Sequence, residues 1–198
     1  MPPMKAILFC AALTTMLFQT GYAQLSRGSF MTGATFFPLV RHQLDGSVKV
    51  KSSSIRVVPG VSYFLTDHLA VGLVAPWGYT RHKSQDRLMT LSTYAVGPAV
   101  RYYFPFGRWA VFPTVSYSLG RHIQETVDTS FPANTVKGHT RTLMGGLGIT
   151  YFIGRHMGVE CSLGYGTNKV SWDDEADRAY DTSLITLDVG VQVYLFKK

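Results

Sequence analysis

The sequence contains no apolar run of about 18 residues, so it has no segment that would cross a bilayer as a helix. It contains only two cysteines, Cys10 and Cys161. Cys10 lies in an N-terminal leader, which leaves Cys161 alone in the mature chain. An internal disulfide framework and a cysteine zinc site are thereby excluded. Charge is also scarce: 16% of residues are charged, against about 25% in ordinary soluble domains. Aromatic residues, at 13%, are instead plentiful.

The leader reads as an export signal. Lys5 supplies the positive start, and Ala6 to Phe18 is an apolar stretch of the length such signals use. Gly21-Tyr22-Ala23 places small residues at a cleavage site, so residues 1–23 are expected to be removed and 24–198 to form one domain. Phe9 stands before Cys10 where a lipoprotein signal needs a small residue, so lipidation is not expected. The precursor carries a net charge of +7, and losing Lys5 lowers that by one. In an exported chain the natural counterpart of a basic surface is an anionic lipid headgroup rather than nucleic acid.

What the chain does have is alternation. The last segment runs TSLITLDVGVQVYLF from Thr182, with Ile185, Leu187, Val189, Val191, Val193 and Leu195 forming an unbroken apolar row. Thr186, Asp188, Gly190, Gln192 and Tyr194 occupy the other parity. A period of two with one apolar face is a strand between two different environments. Similar segments run from Ser29 to Leu39, Ser54 to Leu65, Leu69 to Thr80, Thr90 to Phe104, Trp109 to Arg121, His139 to Ile153 and Met157 to Lys169, eight strands in all. Tight turns at Thr66-Asp67-His68, Pro105-Phe106-Gly107-Arg108 and Gly154-Arg155-His156 alternate with longer polar connections around Gln43, Ser84, Asn134 and Glu175. An exported chain with this rhythm fits an outer-membrane β-barrel, with short inner turns and longer outer loops.

A repeat supports the count. Tyr63-Phe64, Tyr103-Phe104 and Tyr151-Phe152 each precede a tight turn, and Tyr194-Leu195-Phe196 ends the chain the same way. These aromatics are expected to form a girdle at one membrane interface, with Trp77, Tyr79, Tyr94 and Tyr117 at the other. Parity sends Leu69, Val71, Leu73, Ala75 and Trp77 to lipid in the third segment, and Val111, Val115, Tyr117 and Leu119 in the fifth. The first segment, FMTGATFFPL, is apolar on both parities, and its facing is left open.

On the signal peptide, the G-x-x-Y strands (Gly60 to Tyr63, Gly148 to Tyr151) and the aromatic final strand, the chain resembles the small bacterial outer-membrane β-barrel family, porin-like proteins of eight strands. The resemblance covers the whole mature chain. It departs at the end, where Lys197 and Lys198 follow the usual terminal aromatic. It implies an all-β, eight-stranded antiparallel up-and-down transmembrane barrel in the bacterial outer membrane, inserted by the barrel-assembly machinery. Outer-membrane lipids and lipopolysaccharide are the implied partners; no extracellular ligand is implied. The family includes anchors, adhesins, small channels and lipid enzymes, so fold does not select among them.

Four inward positions are charged: Arg56, Arg101, Glu160 and Asp188. Arg101 and Glu160 stand at similar distances from tight turns, and Arg56 and Asp188 share a greater one. Balanced charges at matched heights are expected to form an internal ion-pair network that closes the lumen. The competing reading is a selectivity ring, which more often carries one sign.

Lipid A deacylases and palmitoyltransferases occur on similar barrels and use His and Ser near the outer leaflet. The corresponding residues here are His42, His82, His122 and His139, with Ser84, Ser92, Ser116 and Ser118. Ser118 and His122 share a face, but at about 3.3 Å per residue they stand about 13 Å apart, too far for a nucleophile–base bond. The loop Trp172-Asp173-Asp174-Glu175-Ala176-Asp177-Arg178 is acidic but lacks EF-hand spacing. The other outer segments lean basic through Arg41, Lys49, Lys51, Arg81, Lys83 and Arg87. The expectation is therefore a non-catalytic barrel without metal or cofactor, serving a structural or surface-interaction role. A narrow channel for small or hydrophobic solutes is the alternative, and a lipid A-modifying enzyme the third.

Overall fold

The computed structural model describes residues 25–45, 48–83, 87–128, 134–173 and 179–195. The leader, its cleavage site, Ser84, residues 174–178 of the acidic loop and the terminal lysines lie outside them, as do the side chains of Arg41, His42, Lys49, Lys51 and Arg87. The strands are β1 (Phe30–Asp45), β2 (Val48–Phe64), β3 (Leu69–Val74), β4 (Trp77–Lys83), β5 (Arg87–Tyr102), β6 (Phe104–Phe106), β7 (Trp109–Asp128), β8 (Asn134–Ile153), β9 (Met157–Trp172) and β10 (Ala179–Leu195). β3 and β4 form one wall segment broken at Ala75-Pro76, and β6 continues β5 past Tyr103. The wall is thus an eight-membered ring of antiparallel neighbours. It closes where β1 meets β10, from Phe30 opposite Leu195 to Phe36 opposite Val189. These seven pairs join the first and last strands, and closing the sheet on itself is the condition for crossing lipid with strands.

The break in the third wall segment has a simple cause. Pro76 has no N–H to give to the ladder. Its neighbours carry the pairing instead: Ala75 N donates to Pro59 O at 2.9 Å, and Ala95 N donates to Pro76 O at 2.9 Å. Two of the tight turns use glycine in the left-handed region, Gly107 (φ 62°) and Gly154 (φ 73°), where a Cβ would be strained.

The outer ends differ from expectation. The strands run further toward the connections expected around Gln43, Ser84 and Asn134: Gln43 lies within β1, β4 reaches Lys83, and Asn134 opens β8. Polar residues on both parities carry no apolar signal, so the hairpins run on past the point where alternation fades.

The outer face is apolar. Ile185 is 72% exposed and Leu147 62%, and exposed apolar side chains continue on every wall segment. A continuous apolar exterior of this extent marks contact with lipid rather than water. In β1 the open question of facing is resolved. Phe30, Thr32 and Phe36 are directed outward, while Met31 and Thr35 are buried inward.

Candidate functional site

The lumen holds the candidate site, and buried aromatic rings cluster at its short-turn end. Strand parity splits each aromatic pair. Tyr63 and Phe104 point out, whereas Phe64 and Tyr103 point in and are completely buried. Phe152 is buried inward at the end of β8, and Tyr194 is buried inward on β10. The expected girdle is therefore only half a girdle, because adjacent residues of a strand face opposite sides. The outward half pairs up on the surface: Phe30 with Tyr63 at 5.1 Å and Trp109 with Tyr151 at 4.6 Å.

The inward half makes one stack. Phe112 meets Tyr103 at 5.1 Å, Tyr103 meets Phe64 at 5.6 Å, Phe64 meets Tyr194 at 6.4 Å, and Tyr194 meets Phe152 at 5.3 Å. These tilted contacts are the favoured geometry for aromatic rings. Met31, Ala70 and Ala110 complete the cluster, so most wall segments contribute to it. Gly148 makes room for it, since a side chain there would run into the Phe112 ring. Residues before β1 fold beneath: Leu25 joins the cluster, and Gly28 N donates to Phe64 O at 2.9 Å.

Glu160 stands directly against this stack and is 1% exposed. Its Oε2 accepts from Arg101 Nη1 at 2.9 Å and from Gln192 Nε2 at 3.1 Å. Its Oε1 accepts from Thr150 Oγ1 at 3.1 Å, with the Tyr103 and Tyr194 hydroxyls at 3.4 and 3.5 Å. A buried carboxylate surrounded by donors and one guanidinium is the satisfied form of a buried charge. Arg101 also lies over the Phe112 ring, 5.1 Å from its centroid, which ties the charges to the aromatic stack.

Arg56 and Asp188 lie farther from the short turns, and the structure does not bring them into an ion pair among the described residues. Arg56 is the register partner of Phe37 on β1, and Val189 pairs with Phe36 on the same strand. One strand stands between the two residues in the wall, yet their side chains share a cavity and their charges still act on each other. Arg56 reaches across instead to Met144, with Nη2 3.1 Å from Sδ. Asp188 Oδ2 accepts from Thr186 Oγ1 at 2.9 Å, while its Oδ1 is buried with no partner. Both residues line a cavity of about 70 Å³ together with Arg101, Thr114, Ser116 and Ser162. Arg56 also borders a second cavity of about 180 Å³, lined by Ser54, Thr80, Thr93, Thr142 and Asn168.

The described histidines and serines do not assemble into a dyad. His122 Nδ1 lies 3.1 Å from Thr93 Oγ1, and its ring sits edge-on to Trp172 at 5.2 Å. Ser116 and Ser118 line the cavities. His139 lies 3.4 Å from Asp173, and Lys169 lies 3.4 Å from Asp181, which accounts for two carboxylates of the acidic loop and its flank. Sequence reasoning missed Phe64, Tyr103, Phe112, Phe152, Thr150, Tyr194 and Gln192 as members of one assembly around Glu160. The available signal was parity: each sits on the face opposite its lipid-exposed neighbour.

Residues 9–192 match the family model described as the outer membrane protein beta-barrel domain. The chain belongs to that family. This outer-membrane barrel resembles, in fold, the attachment invasion locus protein Ail of Yersinia pestis, at 12% identity and a TM-score of 0.52 over 85% of this chain and 99% of that one. A major outer membrane protein from Thermus thermophilus gives the same identity, TM-score and coverage. At such identity the likeness speaks for the fold alone. No curated relative matches the chain. The barrel belongs in the bacterial outer membrane, with its short turns on the periplasmic side by the rule of that class.

Proposed function

We propose that this barrel is a non-catalytic structural element of the outer membrane, sealed to solutes, whose interactions take place at its outer surface. The observation that carries this reading is the periplasmic plug: the stack of Phe64, Tyr103, Phe112, Phe152 and Tyr194 locked to the Arg101–Glu160 pair. An eight-stranded bore is only about wide enough for side chains to fill. Large rings from several strands at one level fill it. The cavities beyond Arg56 favour a second reading, a narrow channel, because they supply polar volume above the plug. No catalytic role is proposed, since His122 is engaged by Thr93 rather than by a serine.

Liposome swelling separates the two readings. Proteoliposomes of the purified barrel are expected to exclude a small sugar or amino acid as well as protein-free liposomes do. Rapid swelling with the wild-type protein would favour the channel.

A further inference from the structure

The outer rim of β7, β8 and β9 carries a group of cations on the lipid-facing side. Arg121 of β7, Arg141 of β8 and Lys169 of β9 all lie on the outward parity and are exposed. Arg141 and Lys169 are direct cross-strand partners. Arg121 pairs in register with His139, one diagonal step from Arg141. Like charges placed opposite each other across an antiparallel pair are destabilising unless something compensates. Asp181, 3.4 Å from Lys169, compensates one of the three. Arg121 and Arg141 have no carboxylate partner among the described residues.

Their height decides what can compensate them. The periplasmic aromatic belt includes Trp109 and Tyr151, which are register partners. Arg141 is ten residues from Tyr151 along β8, and Arg121 twelve from Trp109 along β7. At about 3.3 Å per residue and a tilt of about 40°, these spans rise roughly 25–30 Å. The apolar band of such barrels is about 25 Å tall. The cations therefore stand at the outer edge of the hydrocarbon. Leu119 and Leu143 are the next outward residues below Arg121 and Arg141, and Tyr165 stands two outward steps below Lys169, past Thr167; Leu119, Leu143 and Tyr165 are each at least half exposed. A group that is apolar below and anionic at this height is a lipid whose headgroup carries phosphate.

We propose that Arg121, Arg141 and Lys169 form a seat for the phosphate of an outer-leaflet phosphorylated glycolipid, with its acyl chains against Leu119, Leu143 and Tyr165. Guanidinium groups suit this role because they bind phosphate through two parallel hydrogen bonds. The seat fixes the height of the barrel in the membrane on one side and relieves the repulsion between Arg141 and Lys169.

The test uses the full-length mature barrel in detergent, titrated with bisphosphorylated lipid A and read by native mass spectrometry. The variant Arg121→Gln/Arg141→Gln/Lys169→Gln is compared with Arg27→Gln/Arg108→Gln/Arg155→Gln, which removes equal charge from the opposite end. The first is expected to weaken lipid A binding by about tenfold or more, since a single charge-assisted contact is worth about that factor. The second should bind like the wild type. Fully dephosphorylated lipid A should bind wild type and rim variant alike. Lipid A should also raise the unfolding temperature of the wild type and leave that of the rim variant unmoved, a readout that does not depend on variant yield. Unchanged affinity of the rim variant, or an equal loss in the opposite-end variant, would overturn the proposal. Displacement of lipid A by millimolar inorganic phosphate would overturn the lipid as occupant.

Discussion

At the scale of single residues, Glu160 decides the inner end of the lumen. It is the one carboxylate pressed against the aromatic stack among the described residues, and Arg101 is its ion-pair partner. Glu160→Gln leaves Arg101 without its counter-charge in a poorly solvated place. Breaking a buried pair on one side costs about 3–5 kcal/mol, whereas replacing both partners can be nearly neutral. Glu160→Gln and Arg101→Met should therefore each destabilise the barrel, and the double variant should recover part of the loss. Urea unfolding in liposomes should show an interaction energy of about 0.5–3 kcal/mol. Additive effects would mean that the two side chains do not support each other. These two residues were legible in the sequence because inward charges are few and both lie close to a tight turn. The convergence of Gln192, Thr150, Tyr103 and Tyr194 was not, because nothing in a strand pattern says which neutral polar groups meet one carboxylate across the bore.

At the scale of strands, parity is the main determinant, and it was readable wherever one face is purely apolar. β10 reads without ambiguity through its row from Ile185 to Leu195. β1 did not, because Met31 faces the plug while Phe30 and Phe36 face lipid, so both parities are apolar for different reasons. The same physics hid the plug. A pair such as Tyr63-Phe64 looks like one interfacial unit, yet its two rings belong to opposite sides of the wall. Adjacent residues on β9 test the assignment directly. Leu163→Arg puts a cation against hydrocarbon near mid-height and should cost about 2–4 kcal/mol. Ser162→Arg points into the cavity, where Asp188 is its register partner, and should cost less. Folding titrations into bilayers compare the two. A larger loss for Ser162→Arg would mean that the faces are inverted.

At the scale of the whole molecule, an exported chain closes into a ring whose inner end is filled by its own side chains. Export comes first. Residues 1–23 are expected to be absent from protein isolated from the envelope, with Gln24 as the first residue. Intact-mass measurement of that protein checks it, and a form retaining Met1 or carrying a lipid on Cys10 would contradict it. The seal is the central claim. Its most direct measurement is electrical: ionic current through planar bilayers holding the purified wild-type barrel, beside the same barrel with Phe112→Ala and Glu160→Gln. The wild type should show no sustained steps. The doubly substituted barrel, with one ring and one charge removed from the plug, should leak. Steady conductance through the wild-type barrel, unchanged by the two substitutions, would contradict a lumen closed at Phe112 and Glu160.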